Sequence, residues 1–156
     1  MEEENREIEF KALTNLNETP QKLPWKIMEK ARIFICGILN AGGEGTIYFG
    51  IGDSYDKTNN FTRGEIIGLE VEGLRDEINK AFQSALDDHI ESNDGKMKKG
   101  GDMNCVKIYF VPVEKSGEKT GRYVVEIEIK RDWRFCKDNV YYFRPWSEKR
   151  GKRLNI

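Results

Sequence analysis

Thr46-Ile47-Tyr48-Phe49-Gly50-Ile51 is a continuous β-branched, aliphatic and aromatic run, too short for a helix and bounded by Gly45 and Gly52. Such a run is expected to form a buried central strand. On its N-terminal side, Ile27, Met28, Ala31, Ile35, Ile38 and Leu39 recur at helical spacing, which predicts a helix over Trp25–Leu39. Pro20 and Pro24 precede it, and Asn40-Ala41-Gly42-Gly43 should stop it, because glycine tolerates the left-handed cap. On the other side, residues 52–63 read as a polar turn, and Glu65-Ile66-Ile67-Gly68-Leu69 as a partner strand.

Further out, Glu7-Ile8-Glu9-Phe10-Lys11 alternates polar and apolar residues. This predicts a short strand with Ile8 and Phe10 on the core face and Glu7, Glu9 and Lys11 on the other. Leu74, Ile78, Ala81, Phe82, Ala85 and Leu86 form the apolar stripe of a second helix. Glu91 to Asp102 reads as a loop carrying Lys96, Lys98 and Lys99. Val106–Val111 and Tyr123–Ile129 read as an antiparallel pair joined through Ser116-Gly117, and Val140–Arg144 as a last strand. The order β-α-β-β-α-β-β-β argues for an α+β fold, a single mixed, mainly antiparallel sheet with two packed helices. One domain over residues 1–156 is expected, with a basic tail at 145–156.

Composition agrees with a folded domain. Of 156 residues, 38% are hydrophobic and 34% charged, and eight Phe, six Tyr and three Trp supply core volume. No run approaches the roughly 20 apolar residues that span a bilayer, and the start Met1-Glu2-Glu3-Glu4 is unlike a basic secretory leader. Cys36, Cys105 and Cys136 are odd in number and widely spaced, which predicts reduced thiols in the cytoplasm or nucleus. None of the three has an evident activator, so none is a candidate nucleophile.

The net charge of −1 hides a polarity. Five acids stand against Arg6 between Glu2 and Glu9, whereas ten bases stand against five acids between Arg122 and Arg153. A polyanion held by one surface, with carboxylates nearby, would suit that distribution.

Three of the acids, Glu4, Glu9 and Asp53, are candidates for chemistry. Clustered carboxylates can hold Mg²⁺ or Mn²⁺ through hard oxygen ligands and so promote phosphodiester cleavage. Asp53 ends the Gly50-Ile51-Gly52-Asp53 segment, where a rigid strand would aim it. Glu9 and Lys11, two residues apart on a strand, would point the same way. An aspartate flanked by glycine is equally at home as a turn former.

The basic residues give a second candidate site. Arg144, Lys149, Arg150, Lys152 and Arg153 are interleaved with Tyr142 and Trp146, a mixture suited to phosphates and bases or to a solvated tail. Arg134, beside Trp133 and Arg131, is a further nucleic-acid candidate. His89 at the end of the second helix sits well for a partly positive ring.

Together, Glu4 followed after four residues by Glu9-Phe10-Lys11, the helix stop Asn40-Ala41-Gly42-Gly43, the run Thr46 to Asp53 and Gly64-Glu65-Ile66-Ile67-Gly68-Leu69 resemble the Schlafen AlbA-type domain. Tyr142-Phe143-Arg144 is similar to its closing strand, and the likeness runs over nearly the whole chain. Gly45 to Gly50 and Gly64 to Gly68 also resemble the related domain of sterile-alpha-motif antiviral proteins. The resemblance implies a metal-dependent endoribonuclease acting on tRNA or rRNA. Its acidic triad would be Glu4, Glu9 and Asp53, with Lys11 in the same site and Glu7 as a rival ligand. It also implies a two-lobed cleft, so this single lobe would pair as a homodimer or with a paralogous lobe. The family's zinc site uses closely spaced His and Cys; with His89 the one histidine, no zinc is expected. The alternative is a DNA- or RNA-binding module without turnover, or one that completes a partner's cleft. No membrane partner is expected.

Overall fold

The computed structural model describes residues 6–13, 20–54, 60–92, 105–130 and 141–143. Strand β1 (Arg6–Lys11) is followed by a single 3₁₀ turn at Pro20–Lys22, helix α1 (Leu23–Ala41), β2 (Glu44–Phe49) and helix α2 (Arg75–Ser84). The chain continues through β3 (Ile90–Ser92), β4 (Val106–Lys115), β5 (Glu118–Ile129) and β6 (Tyr141–Phe143). Four strands form one mixed sheet in the order β1-β2-β5-β4. The β1–β2 pair is parallel, and β2–β5 and β5–β4 are antiparallel. With the two helices this is an α+β fold.

Helix α1 carries Pro24 in its first turn, where the missing N–H costs no hydrogen bond. It ends as expected: Gly42 takes φ 68°, and the Gly42 and Gly43 amides donate to Leu39 and Ile38 carbonyls. Helix α2 opens with Asp76 and Glu77, which favour the positive end of its dipole. Its continuation Ala85–His89 widens into a π turn before β3.

Both helices cover the same face of the sheet. Ile27, Met28 and Ile35 from α1 and Ile78 and Phe82 from α2 pack with Ile47 and Phe49 of β2 and Val125, Ile127 and Ile129 of β5. All are buried; at about 1.5–3 kcal/mol per large side chain, this layer supplies most of the hydrophobic drive. No described helix lies on the opposite face.

Three expectations are corrected. First, β1 carries its side chains on the opposite faces from those its alternation suggested. Glu7, Glu9 and Lys11 pair with Gly45, Ile47 and Phe49, whereas Ile8 and Phe10 pair with Thr46 and Tyr48. Directly paired residues share a face, so the charged set lies on the helix side and Ile8, 55% exposed, on the uncovered side. β1 is an edge strand, so its long polar side chains can reach solvent past α1. Ala12 is buried where the strand ends.

Second, Glu65–Leu69 is not a full strand. It makes two isolated bridges, Ile51 to Ile66 and Leu69 to Tyr123, and so ties the exit of β2 to the middle of β5. Third, the last strand does not join the main sheet. Tyr141–Phe143 pairs with Ile90–Ser92 in a separate two-stranded ribbon, using the start of what read as a loop. The hairpin through Ser116-Gly117 holds, with β4 and β5 running up to the turn. Both turn residues have positive φ, the requirement of a type I′ turn.

Candidate functional site

Two of the acids singled out from sequence, Glu9 and Asp53, lie at or just beyond the C-terminal ends of the parallel β1–β2 pair. Glu9 and Lys11 share a face as expected, with Nζ of Lys11 3.9 Å from Oε1 of Glu9. The Glu9 side chain is 44% exposed, so its carboxylate remains open to solvent. Glu7 lies on the same face, one pleat earlier.

Asp53 is placed by backbone hydrogen bonds. The Gly50 amide donates to the Lys11 carbonyl at 2.7 Å, joining the two strand ends. The Gly52 amide donates to Glu65 O, and the Gly64 amide donates back to Gly52 O, which clamps the residue just before Asp53. Arg63 completes the arrangement. Its Nη1 donates to the Asp53 carbonyl over 3.4 Å, and its guanidinium lies 5.2 Å over the Phe10 ring. The Asp53 backbone is thereby tied to the end of β1 on the Phe10 side, whereas Glu9 and Lys11 leave the strand on the helix side.

Glu9 and Asp53 offer oxygen donors of the kind Mg²⁺ and Mn²⁺ prefer. Among the described residues no group of three or more His, Cys, Asp or Glu is drawn together to hold a metal. Glu4 lies outside the described residues. So do the nucleic-acid candidates Arg134, Arg144, Lys149, Arg150, Lys152 and Arg153, together with Lys96, Lys98 and Lys99. His89 falls in the π turn. Cys36 is unsuited to nucleophilic work: burial pushes its thiol up to about 11 despite the nearby Arg32. Cys105 is buried.

The uncovered face of the sheet holds residues that sequence reasoning missed. Phe10 pairs with Tyr48, Tyr48 with Glu126, and Glu126 with Tyr109, which makes one row across all four strands. Phe10 and Tyr48 are in contact, with ring centroids 5.8 Å apart and tilted by 55°. Burial, then the repulsion of Glu128, raises the Glu126 carboxyl above its ordinary value, and a hydrogen bond from Tyr48 partly offsets this. Next to the row is a groove of about 750 Å³ bordered by Tyr48, Glu126, Ile66, Val111, Arg122 and Val124. The row's only trace in the sequence is the polar and aromatic half of the alternation in β2 and β5, Thr46 and Tyr48 with Glu126 and Glu128.

The family model described as Schlafen, AlbA_2 matches residues 4–152. No curated protein matches the chain.

Proposed function

The chain belongs to the Schlafen AlbA_2 family, whose membership supports a nucleic-acid-binding domain, and on that premise we propose a metal-dependent endoribonuclease that cuts structured RNA, with tRNA favoured. The observation that carries the reading is the family match running through Glu4, Glu9, Lys11 and Asp53. The shared face of Glu9 and Lys11 adds to it.

Glu9 and Asp53, with Glu4, would hold Mg²⁺ or Mn²⁺ through carboxylate oxygens. A cation bound there supplies positive charge that polarises the phosphoryl oxygen and lowers the pKa of a water. Lys11 places an ammonium beside Glu9, where it can balance a phosphate oxygen during displacement. The basic residues Arg134, Arg144, Lys149, Arg150, Lys152 and Arg153 would hold the RNA backbone, with binding that weakens as salt rises. A homodimer or a paralogous lobe would complete the cleft.

The deciding experiment is gel analysis of tRNA incubated with the protein and Mn²⁺. Cleavage should fall at least about 100-fold in Glu9→Ala and Asp53→Ala, the several kcal/mol expected of a lost metal ligand. Cleavage unchanged in either variant removes that residue from the site.

A second reading, a nucleic-acid-binding module without turnover, draws on the opposite sides taken by Glu9, on the helix side of β1, and by the Asp53 backbone, tied through Arg63 to the Phe10 side. It expects RNA binding with no Mn²⁺-dependent cleavage by the wild-type chain.

A further inference from the structure

We infer that the uncovered face of the four-stranded sheet is a stacking platform for unpaired nucleobases, with Phe10, Tyr48 and Tyr109 as the stacking rings and Glu126 between them as the acceptor for a base's exocyclic amine. The inference rests on the nucleic-acid-binding half of the reading above and is independent of cleavage.

Register is the first support. The row Phe10, Tyr48, Glu126 and Tyr109 crosses every strand of the sheet in order, and at about 4.8 Å between strands it is roughly 14 Å wide. Aromatic side chains on a four-stranded sheet commonly stack two or three bases in this way. Tyr109 is 42% exposed on the edge strand β4, open to a ligand approaching that face. Tyr48 donates its hydroxyl to Glu126 and accepts a hydrogen bond from Thr46.

Charge complementarity selects the occupant. The anion Glu126 sits inside the row, where it suits the amino group of cytosine or adenine. Cations stand around it. Arg63 lies over Phe10 at one end, and its planar guanidinium can itself stack on a base. Lys107 pairs with Glu128 one pleat from the row, and Arg122, ion-paired with Glu70 at 3.2 Å, borders the adjoining groove with Lys115, Glu65 and Glu114. An acceptor at the centre, with Arg63 at the β1 end of the row and Lys107 beside its β4 end, suits a strand whose bases face the sheet and whose phosphates pass those two ends. The groove of about 750 Å³ lies within the usual range of ligand sites and continues the row on the Val111 side.

The test uses the full chain and three RNA probes labelled with fluorescein: a 12-mer of cytidines, a 12-mer of uridines and a blunt duplex, read by anisotropy at fixed salt. Tyr109→Ala should weaken single-strand binding roughly fivefold to 100-fold, the range for one lost base stack, and leave duplex binding unchanged. Tyr109→Phe should bind as wild type. Tyr109→Leu, which keeps apolar bulk without a π face, should behave like the alanine variant. Single-strand binding equal to wild type in both Tyr109→Ala and Tyr109→Leu overturns the platform. A wild-type dimer that Tyr109→Ala converts to monomer with single-strand binding intact also overturns it and assigns the face to self-association. The two readings fail separately: Asp53→Ala reports on cleavage, and Tyr109→Ala reports on single-strand binding.

Discussion

The hydroxyl of Tyr48 donates to the carboxylate of Glu126 directly across the β2–β5 ladder. Glu126 nonetheless holds its proton more tightly than an ordinary glutamate, because burial and the neighbouring Glu128 outweigh that bond. A carboxyl raised in the folded state stabilises the fold below the unfolded value of about 4.5, and this contribution is lost as pH rises through the folded value. Glu126→Gln should therefore be more stable than wild type at pH 7, with the gap closing as pH falls towards 4.5. Urea denaturation across that range measures it.

Gly52 has no room for a side chain. A Cβ there would run into the backbone carbonyl of Thr62 and lie 2.9 Å from Cδ2 of Phe61. Gly52→Ala should cost about 1–3 kcal/mol, as overpacking generally does. Because the next residue is Asp53, cleavage should drop further than stability, by about 100-fold for a displacement near 1 Å. Thermal melts and tRNA cleavage of the same preparation separate the two effects.

Arg63 is an exposed side chain with two partners, the Phe10 ring and the Asp53 carbonyl. Arg63→Ala should cost no more than about 1 kcal/mol of stability, the scale of an exposed cation–π contact. If the guanidinium also meets a phosphate, the slope of log affinity against log salt for single-stranded RNA should fall by about 0.7. A salt titration of the variant against wild type reads this directly.

Cys36 should resist alkylation. With its thiol pushed up to about 11 by burial, almost no thiolate exists at pH 8. Iodoacetamide at that pH should leave Cys36 unmodified in the native chain and label it fully in urea, as read by peptide mass mapping. Native labelling at the rate of a free thiol would contradict the burial described.

The elements that could be read from sequence are those specified locally. Gly42 marks the end of α1 because its left-handed cap needs no distant partner, and Ser116-Gly117 marks the β4–β5 turn for the same reason. The alternation of β1 indicated a strand but gave the wrong faces. Ile8 and Phe10 look like core residues until pairing with Thr46 and Tyr48 turns them outward, and that pairing depends on a partner beyond a whole helix. The ribbon between Ile90–Ser92 and Tyr141–Phe143 was hidden by the same long separation. In the candidate site, the common direction of Glu9 and Lys11 follows from a period of two and was readable. The tie between Asp53 and Arg63 was not, since it depends on the bridged segment after β2. The aromatic row was hidden too, because its four members come from four strands.

With the described helices on one side of the sheet, the two central strands divide their labour between its faces. In β5, Val125, Ile127 and Ile129 maintain the fold while Glu126 and Glu128 between them face outward. Ligand preference can therefore drift by exchanging alternate residues, with little penalty to folding. Relatives that share this architecture should vary most at the outward positions and least at the inward ones.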